Sequence, residues 1–262
     1  MNEITNTKKR NKFTQFLYDE FVGTWKGFSK EKIKPVTLML VVVNVTLLLI
    51  SNIIAARSFE FAYFEDGVRM GLPIAMILYP AVITLSDTLA ECDWKWTRRS
   101  CHLSFALNLL MVGCFEVAIA VTGGSDVSEF AILHNTWYLL IASLFSFYVG
   151  DLVNDTVFLK YKNKDKDKGL MKRCLVSTLF GQLLDSSIFI ILGMHVFPIL
   201  FGDVSLMSSF NHGHIISSLA DPIGWANVFI MIGLQVIAKL AYEALLTPLI
   251  KWCTKVAKKE EN

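Results

Sequence analysis

The chain is long enough for a sizeable domain, strongly apolar and close to electrically neutral. It has 262 residues, of which 53% are hydrophobic, and a formal net charge of +2; its mean hydropathy is +0.48. This apolar content exceeds what one water-soluble core of that length requires, which excludes an ordinary soluble domain and favours a membrane protein. The small net charge also argues against nucleic acid as a partner.

The first 34 residues are predicted to lie on the cytoplasmic face of the membrane. Basic residues at positions 8–12 precede a mixed sequence with no unbroken apolar core, which excludes a signal peptide. Apolar residues then recur at helical spacing, and this predicts an amphipathic helix on the inner leaflet, with a partly disordered tail as the alternative. The residues that carry this pattern are Phe13, Phe16, Leu17, Phe21, Trp25 and Phe28.

Six apolar runs of about 20 residues follow, each long enough to cross a bilayer. They lie at 36–56, 71–92, 101–122, 135–159, 173–198 and 223–250. Of the 25 Lys and Arg residues, 22 fall at the termini or in the loops after the second and fourth runs. Because basic residues favour the cytoplasmic side, both termini are predicted to be cytoplasmic in a multi-pass inner-membrane protein.

The predicted fold class is therefore an all-α polytopic membrane protein with six transmembrane helices. It divides into a cytoplasmic N-terminal segment, 1–34, a transmembrane domain, 35–252, and a cytoplasmic tail, 253–262. Five cysteines show no metal or redox spacing, and neither a metal nor another cofactor is expected.

Polar residues within the predicted spans are the candidate functional groups, because such side chains are costly in lipid unless they face other helices or a cavity. Residues three or four positions apart share one face of a helix, so several of them form polar stripes. The candidate substrate-binding residues are Asn52, Asp87, Glu91, Asp151, Asn154, Asp155, Gln182, Asp185, Lys239 and Glu243. The aromatic candidates for stacking on a planar ligand are Phe147, Tyr148 and Phe189.

Some of these groups have a purely structural alternative. Lys239 and Glu243 can neutralise each other at i, i+4, and Glu91 can pair with a nearby arginine. Gln182 and Asp185 are the strongest candidates for ligand contact, because they lie about three turns from the inner edge of their span and have no basic neighbour within it.

The fourth and fifth spans share a short sequence pattern. Aligning Gly150 with Gly181 also aligns Asn154 with Asp185. Because consecutive spans run in opposite directions, this match indicates an inverted repeat, the arrangement in which many transporters build a central site; chance similarity is the alternative.

Several of these motifs resemble those of one family. The segment STLFGQLLDS, residues 177–186, resembles the fifth-span motif of the queuosine-precursor transporters, also called the vitamin uptake transporter family. Asp87 and Glu91, followed by Arg98 and Arg99, are similar to that family's second-span acidic pair and basic inner loop.

The resemblance covers about residues 36–252. It implies a six-span inner-membrane importer of queuine or of 7-deazaguanine bases such as the aminomethyl or cyano forms, salvaged for modification of transfer RNA. The fourth span departs from the family pattern, since Asp151 and Asn154 stand where Gln and Asp are usual and Asp155 is added. This departure leaves the exact base open.

The chemistry of such a base suits these side chains. Its edge offers N–H and amino donors beside a carbonyl acceptor, so Asp185 is expected to accept two hydrogen bonds while Gln182 or Asn52 donates one. The expected partners are the purine-like substrate and the lipid bilayer, without nucleic acid. A homo-oligomer and an energy-coupling ATPase module are left open.

Two other classes of transport protein are alternatives to this importer. The chain could be the substrate-binding subunit of an energy-coupling-factor transporter, or a proton-coupled carrier of another vitamin-like solute. An enzyme is not expected: Gly150 and Asp151 match the active-site dipeptide of intramembrane aspartyl proteases, but Tyr148 stands where those enzymes have a glycine.

Overall fold

The computed structural model describes residues 11–54, 58–63, 69–122, 137–165, 169–197, 200 and 222–259. Its α-helices are α1 (Lys12–Tyr18), α2 (Pro35–Ile54), α3 (Tyr79–Cys92), α4 (Trp94–Thr122), α5 (Trp137–Asp165), α6 (Leu170–Ile188) and α7 (Pro222–Lys259). Strands β1 (Ser58–Tyr63) and β2 (Arg69–Pro73) form an antiparallel hairpin between α2 and α3. The predicted loop 123–134 lies outside the described residues, as does nearly all of 199–222.

Five helical segments are long and apolar enough to cross a membrane, which confirms five of the six predicted spans in approximate position. They are Pro35–Ile54, Trp94–Val121, Trp137–Lys164, Leu170–Gly193 and Val228–Val256. In the segment Leu170–Gly193, α6 continues into a π-helical stretch, Phe189–Val196. The predicted all-α class holds for this bundle, and the hairpin is the exception to it.

The predicted second span, 71–92, is only partly α-helical. Its first residues belong to β2 and to a 3-10 turn, Ile74–Ile77, and α3 itself has 14 residues. At 1.5 Å per residue α3 covers about 21 Å, less than the roughly 30 Å hydrocarbon core of a bilayer. Almost all of α3 is buried among the other helices, so it is an internal element of the bundle.

The predicted N-terminal amphipathic helix is interrupted. After Tyr18, α1 gives way to a π-helical turn, Asp19–Gly23, and a separate 3-10 turn covers Phe28–Lys30. Gly27 precedes this second turn with φ of +83°, in the left-handed region that favours glycine. The N-terminal segment, defined as residues 11–34, therefore bends back towards the start of α4, where the Trp25 indole N–H donates to His102 Nδ1 at 3.1 Å.

The bundle is apolar on the outside and polar within, the reverse of a water-soluble protein. Its most exposed side chains include large apolar residues of α4 and α7, namely Leu110, Val117, Val121, Phe229, Ile237 and Leu245. Acids, amides and basic residues are buried between the helices. This distribution fits a lipid environment, in which apolar surface carries no penalty and polar groups need internal partners.

Helices α5 and α6 make the most extensive helix contact, and two glycines allow it. A Cβ atom on Gly150 would lie 2.7 Å from Asp185 Cβ and 2.9 Å from the Gly181 carbonyl oxygen. A Cβ atom on Gly181 would lie 2.7 Å from Asn154 Cβ and 2.8 Å from the Gly150 carbonyl oxygen. Each glycine thus accommodates the polar residue that follows the other glycine by four positions.

Candidate functional site

A polar cavity lies at the end of the bundle where α2 finishes and α3 begins. We name it the hairpin-end cavity, because β1 and β2 connect these two helices. Side chains from α2, α3, α5, α6 and α7 and from the flanking 3-10 and π-helical stretches converge on it. Its lining consists of Ser51, Asn52, Ala75, Met76, Tyr79, Ser143, Ser146, Asp185, Phe189, Gln235 and Lys239.

An ion pair between α6 and α7 forms one wall of this cavity. Lys239 Nζ lies 2.6 Å from Asp185 Oδ2 and donates to Ser186 Oγ at 3.1 Å. The same ammonium lies 4.5 Å from the centre of the Tyr79 ring, within the range of a cation–π interaction. The carboxylate is therefore fixed in orientation before any ligand arrives.

Amide and hydroxyl groups form the opposite wall. Asn52 Nδ2 donates to Asn108 Oδ1 at 2.7 Å, and Asn52 Oδ1 accepts from Ser143 Oγ at 2.8 Å. Two further buried groups in the lining, Ser51 Oγ and Gln235 Nε2, have no hydrogen-bonding partner among the described residues. A buried amide without a partner is costly, so this cavity is suited to a guest that hydrogen-bonds.

The hairpin-end cavity is contracted in this conformation. Its volume is about 40 Å³, more than the roughly 10–15 Å³ that one water needs but well below the roughly 300–1,000 Å³ of typical ligand pockets. Met76 and Tyr79 line it, and an unbranched methionine adapts easily to a new packing arrangement. Entry of a planar molecule requires lining side chains or helices to move apart.

A smaller polar pocket, of about 10 Å³, lies beside the first and shares Tyr79 with it. Three sequence candidates line this pocket together, Asp151, Asn154 and Gln182. Ser86 Oγ donates to Asp151 Oδ1 at 3.1 Å. Phe147 also lines the pocket, with its ring edge-to-face against Tyr79 at 6.3 Å between centroids. Tyr79 thus lines both the hairpin-end cavity and the smaller pocket, and Phe147 packs against it from the smaller pocket.

Two acids from α3 and α7 meet further along the bundle. One carboxylate oxygen from each of Asp87 and Glu243 and the sulfur of Cys174 lie within 4.8 Å of one another. Asn154 Nδ2 donates to Asp87 Oδ1 at 2.9 Å, and Thr84 Oγ1 donates to Glu243 Oε2 at 3.4 Å. We call Asp87 and Glu243 the acid pair.

The remaining candidate acids form ion pairs towards the end of the bundle that holds the N-terminal segment. Asp155 Oδ2 lies 3.5 Å from Arg98 Nε. Glu91 Oε2 lies 3.0 Å from Arg173 Nη2 and 3.6 Å from Lys162 Nζ. These contacts support the structural role for Glu91, with Arg173 of α6 and Lys162 of α5 as its partners.

The N-terminal segment adds its own acids to this end. Glu20 Oε1 lies 3.6 Å from Arg98 Nη1 and 3.2 Å from His102 Nε2. Because Trp25 occupies His102 Nδ1, the proton of a neutral ring lies on Nε2 and is donated to Glu20. Burial raises the pKa of Glu20, but the His102 hydrogen bond and the Arg98 charge outweigh it, so the pKa lies below its usual value. Tyr148 belongs to this cluster, since its hydroxyl donates to Glu20 at 3.4 Å.

The thirteen sequence candidates therefore separate by place. The hairpin-end cavity is lined by Asn52, Asp185, Phe189 and Lys239. The candidates that line the smaller pocket, and the two residues of the acid pair, lie deeper in the bundle. Three other candidates, Glu91, Tyr148 and Asp155, belong to the ion-paired end, which contacts the N-terminal segment. Lys239 pairs with Asp185 and not with Glu243, the intrahelical alternative.

Seven of the eleven residues that line the hairpin-end cavity were not among the sequence candidates, namely Ser51, Ala75, Met76, Tyr79, Ser143, Ser146 and Gln235. Two of them had a detectable signal. Gln235 precedes Lys239 by four positions, which puts both on one helix face, and Ser146 aligns with Ser177 when the glycine alignment is extended by one turn. Tyr79 had none, because an aromatic residue near the start of a helix is common.

A bundle of apolar helices that encloses acids, amides and a lysine around a cavity is the architecture of a membrane transport protein. Consistent with this class, residues 73–253 match the family described as "Putative vitamin uptake transporter". This match covers more than half of the chain, and the chain belongs to that family. No curated protein and no solved structure matches the chain.

Proposed function

We propose that this protein imports queuosine precursors, either queuine or a 7-deazaguanine base such as the aminomethyl or cyano form, through the hairpin-end cavity. The observation that carries the proposal is that one cavity contains both a carboxylate held by Lys239, that of Asp185, and a buried amide donor without a partner among the described residues, Gln235 Nε2. These two groups are complementary to a base edge that presents donors beside a carbonyl acceptor.

The carboxylate has room for the ligand's donors. An ionised carboxylate offers about four lone-pair sites, and Lys239 Nζ occupies one of those of Asp185. The ring N–H and the amino group of the base then donate to Asp185, while its carbonyl accepts from Gln235. Ser51 Oγ, also partnerless among the described residues, is available to a substituent.

Aromatic side chains provide surfaces for a flat ring. Tyr79 and Phe189 both line the hairpin-end cavity, and an aromatic face packs favourably on a planar base. We propose these two residues as the stacking surfaces in place of Tyr148, whose hydroxyl donates to Glu20 of the N-terminal segment. Substrate entry then depends on Tyr79 moving away from the contracted cavity.

We further propose that α5 and α6 form an inverted repeat in the inner membrane, with both termini cytoplasmic. The reciprocal contacts of Gly150 with Asp185 and of Gly181 with Asn154 support this relation. Such an arrangement creates two similar half-sites, one facing each side, as alternating access requires. The protein is proposed to act without enzymatic chemistry, with the bilayer and the base as its partners.

A second candidate function is substrate capture for an energy-coupling ATPase module, either for the same bases or for another vitamin-like solute. The description of the family as vitamin uptake transporters favours it as the alternative. Co-purification with an ATPase would support this function, and ATP-independent uptake by the isolated protein in vesicles would exclude it.

The test is direct binding to the purified protein. Queuine, the aminomethyl and cyano deazaguanines and guanine are compared by calorimetry, and we expect at least one deazaguanine to bind. Asp185→Asn should weaken binding by about tenfold or more, since a hydrogen bond to a charged group contributes about 1.5–3 kcal/mol. Gln235→Leu should weaken it by about two- to tenfold, since a neutral hydrogen bond contributes about 0.5–1.5 kcal/mol.

Thr46→Ala is the control for these variants. It removes an exposed hydroxyl from α2, the helix that carries Asn52, and that hydroxyl donates to the Val42 carbonyl of the same helix. Wild-type affinity in Thr46→Ala with loss in the two cavity variants supports the site. Wild-type affinity in Asp185→Asn contradicts it.

A further inference from the structure

The acid pair is more deeply buried than the cavity and lacks a cation. Asp87 and Glu243 are 0% and 1% exposed. Their partners among described residues are Asn154, Thr84 and Cys174, each of which is uncharged as a thiol, hydroxyl or amide. Two ionised carboxylates at this separation in a dry interior repel each other strongly, and neither charge would be compensated.

The surrounding charged groups are already engaged with other partners. From α7, Lys239 is bound to Asp185, and from α6, Arg173 is bound to Glu91 of α3. From α4, Arg98 lies against Asp155 of α5. The other acid of α5, Asp151, accepts from Ser86 and adds negative charge to the region. No described cation is left to neutralise the acid pair.

The hydrogen-bond inventory leads to the same conclusion. Asp87 Oδ2 and Glu243 Oε1 find no donor among the described residues, although both are buried. Carboxylates are acceptors only, so two of them side by side cannot satisfy each other unless one carries a hydrogen. One proton held between them supplies the missing donor and removes one of the two negative charges.

From this geometry we propose that Asp87 and Glu243 share one proton and that this proton is the coupling ion for transport. In the loaded state one carboxyl O–H donates to the other carboxylate. On the release side that O–H bond breaks, the proton passes to water, and both carboxylates are ionised until a proton from the opposite side replaces it. This inference deepens the proposed function, because the cotransported solute is the base of the hairpin-end cavity.

Two connections link the acid pair to that cavity, one through the contact between α5 and α6 and one along α7. Asn154, which donates to Asp87, lies against Gly181, while Asp185 of the cavity lies against Gly150 in the same helix contact. Glu243 follows Lys239 by one turn of α7. Loss of the proton would therefore change the interactions at the contact between α5 and α6 and at the Asp185–Lys239 pair. This change couples the protonation of the acid pair to the cavity.

Infrared spectroscopy of the purified protein tests the shared proton without any substrate. The wild type should show the carbonyl band of a protonated, buried carboxylic acid at neutral pH, shifted in D2O. Glu243→Gln and Asp87→Asn should each lose it, and Asp93→Asn, an acid just beyond the end of α3, should retain it. Absence of the band, or its appearance only after bound zinc has been removed with a chelator, overturns the proposal.

Transport in proteoliposomes tests the coupling. With one proton per neutral base, an inward gradient of one pH unit supports about tenfold accumulation. Glu243→Gln and Asp87→Asn should exchange labelled base but accumulate none, a ratio of one, while Asp93→Asn accumulates as the wild type does. Accumulation by the acid-pair variants with wild-type pH dependence, or driven by sodium, overturns the proposal.

These measurements separate two failures. If the wild type binds no deazaguanine, the proposed substrate is wrong, and the infrared result still decides whether the acid pair holds a proton. If base binds but the band is absent, the substrate assignment stands and the proton assignment falls.

Discussion

The pair Lys239–Asp185 shows how one buried contact determines what its residues can do. Both side chains are almost fully buried, and the ammonium lies 2.6 Å from the carboxylate. Removing one partner of such a pair leaves an uncompensated charge in the interior, whereas removing both charges does not. The same residues can therefore be tested for stability and for ligand binding independently.

Lys239→Met should lower stability by roughly 3–5 kcal/mol because Asp185 stays buried without its cation. The double variant Lys239→Met, Asp185→Asn should recover most of that loss, while neither variant binds the base. Thermal unfolding in detergent measures the first effect and calorimetry the second.

Lys95→Met is the matched control for this prediction. Lys95 also pairs with an acid, Glu31, but its side chain is 65% exposed. Solvent screens such a pair, so its loss should cost less than about 1 kcal/mol. Equal destabilisation by the single and double Lys239 variants would show that the buried pair is not what holds Asp185.

At the scale of helices, the contact between α5 and α6 depends on two missing side chains. Gly150→Ala and Gly181→Ala each place a Cβ atom less than 3.0 Å from the backbone of the opposite helix. Backbone cannot yield as a flexible side chain does, so each substitution should destabilise by roughly 1–3 kcal/mol and reduce base binding by displacing Asp185. Thermal unfolding and calorimetry provide the two readouts.

Gly113→Ala and Gly233→Ala serve as controls, because a Cβ atom at either position meets nothing within 4 Å. Both lie within membrane-spanning helices, where alanine favours the helix more than glycine does, so stability should stay equal or rise. Destabilisation of all four variants alike would mean that helix propensity, and not the close contact, explains the effect.

The glycines of this helix contact were easier to recognise in the sequence than the short length of α3. Gly150 and Gly181 were recognisable because each begins a local pattern that ends in a polar residue. The apolar run 71–92 carries no comparable signal: hydropathy reports which residues avoid water, but lipid-facing and protein-buried segments are equally apolar. Only the packing of α3 among its neighbours distinguishes an internal element from a span.

The partner of each buried charged side chain could not be predicted from the sequence either. Helical spacing correctly places Lys239 and Glu243 on one face, yet Lys239 pairs with Asp185 and Glu243 lies beside Asp87. Spacing within one helix specifies a face, whereas the choice of partner depends on which helices cross it. The site residues of the cavity were therefore predictable as a pool, and their division into cavity, acid pair and ion-paired end was not.

At the scale of the whole molecule, the N-terminal segment is held across one end of the bundle by acids. Glu31 pairs with Arg99 and Lys95, and Glu20 pairs with Arg98 and His102. The Arg99 hydrogen bond lowers the pKa of Glu31, with a further contribution from Lys95. Because Arg98 also contacts Asp155, this docking reaches the buried charges of the bundle.

Acidification should release the N-terminal segment. Glu20 and Glu31 have lowered pKa values when docked, so their stabilisation is fully present above the ordinary glutamate pKa of about 4.3 and is lost as the pH falls through the lowered values. The protection factors of residues 12–30, which correct exchange rates for the pH dependence of intrinsic amide exchange, should therefore be high at neutral pH and fall below about pH 4. Glu20→Gln and Glu31→Gln should show faster exchange already at neutral pH.

Asp19→Asn separates docking from net charge. Asp19 accepts from Gln15 at 2.8 Å within the segment itself, one helical turn away, and both side chains are exposed. This variant removes one negative charge, as the two Glu variants do, but leaves the contacts with α4 intact, so its exchange should match the wild type. If Asp19→Asn accelerates exchange as much as Glu20→Gln does, then general electrostatic attraction to the basic end holds the segment, and the specific pairs with Arg98 and Arg99 do not.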